Sequence, residues 1–86
     1  MANLPSSIKR ARQNVKRRAR NRMVRSRVRT FVKKASAAIE SGDKDEATQA
    51  VRQAVSELDR AVKKGVFHRN NAARRKSRLM KRLNAL

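Results

Sequence analysis

Apolar residues recur along this chain with the period of an α-helix. Val24, Val28, Phe31, Val32, Ala35, Ala38 and Ile39 follow the spacing i, i+4, i+7, i+8, i+11, i+14, i+15. At 100° per residue they share an arc of about 120°, which is one buried helix face. Ala47, Val51, Ala54, Val55, Leu58, Ala61 and Val62 repeat the same spacing. A third set, Ala72, Ala73, Leu79, Met80, Leu83 and Leu86, lies on one side of a further segment. Lys76 falls in the middle of that side; the simplest reading is an aliphatic stem lying on the apolar face with its ammonium reaching water.

The breaks between these segments are set by very few residues, because the chain has only two glycines and one proline. Pro5, Ser6 and Ser7 suit a helix start with a serine as N-cap. Nothing interrupts the pattern until Gly42, placed as the glycine that ends a helix in the left-handed conformation. Asp43 and Glu46 then form a D-x-x-E capping box opening a second helix. Lys63 and Lys64 suit a helix C-terminus, and Gly65 stops it. The expected elements are helices over about 6–41, 43–64 and 69–84. Short turns favour antiparallel neighbours. The fold class is therefore all-α, a three-helix bundle forming a single small domain over residues 1–86.

The first helix is expected to have two unlike halves. Before Val24, only Ile8, Ala11, Val15 and Ala19 make an uncharged strip, and it does not line up with the later apolar face. This N-terminal half is predicted to project from the bundle, charged nearly all round. With like charges at i, i+3 and i+4 and no tertiary partner, it should fray or disorder when alone.

Charge then decides the class of partner. The 86 residues carry 25 Lys or Arg against 6 Asp or Glu, a formal charge of +19. All six acids fall between residues 35 and 65; the flanking segments have none. A net charge of this size bears on partners rather than on fold, and the expected partner is a polyanion. The candidate contact residues on the first helix are Lys9, Arg10, Arg12, Lys16, Arg17, Arg18, Arg20, Arg22, Arg25, Arg27, Arg29, Lys33 and Lys34. Around the start of the third helix they are His68, Arg69, Asn70, Arg74, Arg75 and Arg78, where free helix N–H groups also attract phosphate. For His68, Asn70 and Asn71 the plain alternative is that an asparagine caps the helix and His68 is a loop residue.

The kind of nucleic acid can be narrowed. Arginine forks suit phosphate oxygens and base edges. Aromatic residues are 2% of the chain, two Phe with no Tyr or Trp, so no platform exists for stacking single-stranded bases. Phe31 and Phe67 are expected to pack. Recognition should rest on phosphates, shape and 2′-hydroxyls of a folded RNA. A helix basic on all sides also suits RNA that surrounds it, whereas a DNA duplex needs charge on one face.

Other functions fail on inventory. One histidine and no cysteine provide neither a nucleophile–base pair nor a zinc ligand set. No glycine-rich phosphate loop is present. Neither enzyme activity, metal nor cofactor is expected. No run approaches the roughly 20 apolar residues of a membrane span, and a membrane-active amphipathic helix would need bulkier apolar residues than the Ala and Val of the basic half. A mitochondrial transit peptide shares the Arg-rich, acid-free N-terminus but not the basic C-terminal segment, so cytoplasmic residence is expected. A DNA-compacting nucleoid protein is the remaining alternative.

The segments MANLPSSIKRARQN, RNRMVRSRVRTFVKK, AIESGD and KKGVFHRNNAARRKSRL resemble, in register and over nearly the whole chain, the bacterial small-subunit ribosomal proteins of the S-twenty family. The resemblance implies a three-helix bundle with an extended first helix, bound directly to 16S-type ribosomal RNA and supporting subunit assembly. It implies the basic residues of Lys9 to Lys34, the His68–Arg69–Asn70 segment and Arg74, Arg75 and Arg78 as RNA-facing. It also implies a non-enzymatic protein, with other small-subunit components as further partners. Pro5 departs from the family pattern, where a basic residue is expected.

Overall fold

The structure, a computed structural model, describes residues 5–86. Three helices follow in order: α1 over Pro5–Ser41, α2 over Lys44–Lys63 and α3 over Arg69–Asn84. Helix α1 has 37 residues, about 55 Å at 1.5 Å per residue. It sets the long dimension of a body 61 × 20 × 14 Å.

The helix boundaries come from identifiable atoms. Pro5 stands in the first turn of α1, where its missing N–H is one the helix would not use. Ser6 and Ser7 therefore lie inside that turn, and the expected serine cap is not formed. Gly42 has φ +81° and donates its N–H to the Ile39 carbonyl at 3.1 Å. Asp43 caps α2, its Oδ1 accepting from the N–H groups of Asp45 at 3.1 Å and Glu46 at 3.3 Å. Such a cap contributes about 1 kcal/mol. The return bond from Glu46 that would complete a capping box is absent among the described residues. At the other end Gly65, φ +73°, donates to the Val62 carbonyl, and Val66 donates to that of Ala61, both at 3.0 Å. This pair of bonds is a Schellman motif.

Helix α3 begins differently from either expected form. His68 is its N-cap, with Nδ1 accepting from the Asn70 N–H at 3.1 Å. The Nδ1 atom is thereby the acceptor, and the ring N–H lies on Nε2. Asn70 and Asn71 are helical, and neither is the cap.

The core is built from small side chains. One cluster joins Ala35, Ala38 and Ile39 of α1, Ala47, Val51 and Ala54 of α2, and Leu79 and Leu83 of α3. A second joins Val28, Leu58, Ala61 and Ala72. Leu58, Val28 and Val51 are the largest side chains fully removed from solvent. The helix faces read for α1 and α2 are the ones buried, with Phe31 and Val55 at the margin, half-buried rather than central. The face read for α3 is too wide. Only Ala72, Leu79 and Leu83 are buried; Ala73 is exposed, as are Met80 and Leu86, at 44% and 42%. The reason is that α3 lies chiefly against α2 and touches α1 only lightly, so a narrow line at i, i+7, i+11 suffices to fill the contact.

Lys76 is accounted for by this packing. Its half-buried stem runs along α2 and its Nζ meets Asp59 Oδ1 at 2.8 Å. At this exposure such a pair contributes at most about 1 kcal/mol. It does give the charge in the stripe a fixed partner.

Candidate nucleic-acid interface

The packing turns every basic residue named from the sequence outward. Lys9, Arg10, Arg12, Lys16, Arg17, Arg18, Arg20, Arg22, Arg25, Arg27, Arg29, Lys33 and Lys34 are all exposed on α1, and so are His68, Arg69, Asn70, Arg74, Arg75 and Arg78. They fall into three groups with different surroundings.

The first is the N-terminal half of α1. Ile8 is 44%, Val15 67% and Met23 73% exposed, so the uncharged strip has no helix packed over it. Arg18, Arg22, Arg25 and Arg29 form a row along one side of α1, edged by Val15, Ala19 and Ser26. The row rises about 16 Å along the axis. The half is tied to the bundle lower down than its charge pattern indicates. Arg20 donates from Nη2 to the Lys64 carbonyl at 3.3 Å, at the C-terminal end of α2. A guanidinium there meets the negative end of the helix dipole.

The second group lies where α1 meets α2. Among the described residues Glu57 is the one buried charged side chain, 7% exposed. Its Oε2 accepts from Arg27 Nε at 2.8 Å and its Oε1 from Arg60 Nη1 at 3.3 Å. A buried carboxylate without such partners would be strongly destabilising. The hydrogen bond first, and the charge of Glu57 second, raise the Arg27 pKa above its ordinary value. The Arg27 guanidinium also sits 5.3 Å from the centre of the Phe31 ring, and Lys34 Nζ lies at the same distance. Phe31 is thus half core and half a rest for two cations. Arg27 is committed to the protein in a way its neighbours on α1 are not.

The third group lines a groove between α1 and α3. Arg74, Arg75 and Arg78 stand along it, joined by Arg82, which the sequence reading did not name. Arg74, Arg78 and Arg82 are spaced by four, so continuing the row one turn further identifies the fourth residue. Arg75 is braced by Asn71, its Nε donating to Oδ1 at 3.1 Å, and lies 5.3 Å over the Phe67 ring. No acidic residue lines this groove; Glu57 faces Arg27 and Arg60, and Asp59 faces Lys76.

Among the described residues no group of His, Asp and Glu could hold a metal ion. No helix among them is long and apolar enough to cross a membrane. The arrangement is that of a small all-α protein with exposed arginines along a projecting helix and in an arginine-lined groove.

The family model described as Ribosomal protein S20 matches residues 2–84. A small ribosomal subunit protein bS20 of Hahella chejuensis is 58% identical over 86 residues, covering 100% of this chain and 97% of the relative. Those of Ruegeria sp. and Thermomicrobium roseum are 56% and 55% identical over the whole chain, which covers 99% and 87% of their lengths. The chain belongs to the ribosomal protein S20 family.

Proposed function

We propose that this protein is a structural component of the small ribosomal subunit. It binds 16S-type RNA directly through α1 and the α1–α3 groove and supports subunit assembly. The observation that carries this is the exposure of every named basic side chain from Lys9 to Arg82, with the acids confined to residues 40–59. The names of the relatives support the ribosomal setting. In this reading residues 1–86 act as one RNA-binding domain in the cytoplasm, without catalytic activity, cofactor or membrane contact. Other components of the subunit are available as neighbours for the less basic face of α2. The contact residues are those named above on α1 and at the start of α3, with Arg82 added. Arg27 contributes mainly through its field, since its Nε is engaged by Glu57.

Competition between nucleic acids tests the reading. The protein is expected to bind a folded fragment of small-subunit RNA far more tightly than duplex DNA of equal phosphate number at the same salt. Equal affinity for the two, or preference for the duplex, would restore the nucleoid alternative.

The projecting half of α1 supplies a second expectation. It buries almost nothing, and helices in water depend on packing for most of their stability. Amides from about Arg10 to Arg17 should exchange rapidly in the free protein and become protected in the RNA complex, because phosphates neutralise the repulsion between turns. Amides from Val28 to Ile39 should be protected in both. Slow exchange of the Arg10–Arg17 segment without RNA would mean that this half of the helix is stable on its own.

A further inference from the structure

A carboxylate that leaves water must be met by cations, and Glu57 is met by two. Arg27 of α1 donates to it from Nε, 2.8 Å to Oε2, and Arg60 of α2 donates from Nη1, 3.3 Å to Oε1. One carboxylate thus holds two guanidinium groups side by side across the α1–α2 seam. Its own side chain is 9% exposed, whereas those of Arg27 and Arg60 are 59% and 62% exposed. The anion is the floor of this cluster and the two cations are its open face. Among the described residues no other carboxylate is paired with two arginines.

Charge and donors decide what that face can receive. Two guanidinium groups over one carboxylate leave a single net positive charge. Each guanidinium has several N–H donors and no acceptor. Each gives one donor to Glu57, and the others point away from it. Arg27 is held further by Phe31, whose ring centre lies 5.3 Å from its Cζ.

The matching ligand is a single negative charge spread over acceptor oxygens, without donors of its own. A phosphodiester is such a group, and arginine forks fit its oxygens. Ordering a long side chain opposes binding, but Glu57 already orders both arginines in the free protein. Resting on the RNA-binding reading above, we propose that Arg27 and Arg60 form a two-arginine site for one phosphate of the bound RNA, with Glu57 as the positioning residue beneath them. Alone, Arg27 acts mainly through its field; beside Arg60, its terminal nitrogens supply one side of a shared clamp. Arg60 thereby becomes a contact residue on a helix that carries as many acids as bases. Net charge along the sequence conceals it there.

The test compares variants of the full chain with the parent for affinity to folded small-subunit RNA over a range of salt. Arg60→Ala should weaken binding by about tenfold or more, as loss of a charge-assisted hydrogen bond allows. It should also flatten the log–log salt slope by about one. Arg52→Ala removes the same charge from an exposed position elsewhere on α2 and should change both far less. Arg60→Lys keeps the charge and loses the fork, so it should fall between the parent and Arg60→Ala. Glu57→Gln removes a negative charge, and the bulk field alone would then give tighter binding; loss of the positioning carboxylate gives weaker binding. Arg60 is exposed, so its variants spare the core and decide the matter even where Glu57→Gln lowers stability. Equal losses for Arg60→Ala and Arg52→Ala, parent-like binding by Arg60→Lys, or tighter binding by Glu57→Gln would overturn the two-arginine site and leave the RNA-binding reading standing. Failure of the parent itself to bind folded small-subunit RNA would overturn both.

Discussion

Raising monovalent salt from about 50 to about 200 mM is expected to weaken binding to small-subunit RNA by about 10³–10⁵-fold. The cause is release of condensed cations: each phosphate neutralised contributes a slope of about −0.9 on B-form DNA and about −0.7 on single strands in a plot of log affinity against log salt. The exposed row Arg18–Arg22–Arg25–Arg29, together with Arg74, Arg75, Arg78 and Arg82, makes about eight contacts geometrically reasonable, within the 6–10 that give such a loss, without invoking the remainder of the +19 charge. A slope of about −2 or flatter would mean that most of these arginines face water in the complex.

The second large effect concerns the core. Leu58 is fully buried, in the cluster where Val28 of α1, Ala61 of α2 and Ala72 of α3 meet. Leu58→Ala removes the largest of these side chains and leaves a cavity between three helices, at a cost of roughly 2–5 kcal/mol. A domain of this size has roughly 5–15 kcal/mol in total, so the thermal midpoint should fall by about 10 °C or more. Met80→Ala on the exposed side of α3 should leave the midpoint nearly unchanged. A Leu58→Ala midpoint equal to that of the parent protein would contradict the packing of all three helices around this residue.

What the sequence made legible, and what it did not, follows from the range of each interaction. The ends of α1 and α2 depend on Gly42, Asp43 and Gly65, whose preferences are local. The buried faces of α1 and α2 were readable because each carries an unbroken apolar stripe. That of α3 was not, since whether Met80 and Leu86 are covered depends on which neighbours α3 has and how closely it lies against α1. Lys76 made sense only once Asp59, seventeen residues earlier, was brought opposite it. The His68 cap was missed because imidazole is not among the preferred N-cap groups.

The basic surface was read from the placement of charge along the chain and from the family resemblance, and every residue so named is exposed. Composition could not separate Arg27 from its neighbours. That distinction comes from Glu57, thirty residues away, which the helix register places beneath it. Nor could it show Arg82 bonded to Ser36 across the groove, a pairing that spans 46 positions. Local sequence thus gives the sign and extent of the basic surface, and tertiary packing distinguishes its individual arginines.

The central claim is direct recognition of small-subunit RNA by this surface, and hydroxyl-radical footprinting of that RNA with and without the purified protein tests it most directly. The account predicts protection of a few discrete backbone segments at moderate salt, close enough in the folded RNA to line a body about 60 Å long. Unchanged cleavage, or weak protection spread evenly along the RNA as any polycation would give, would contradict it.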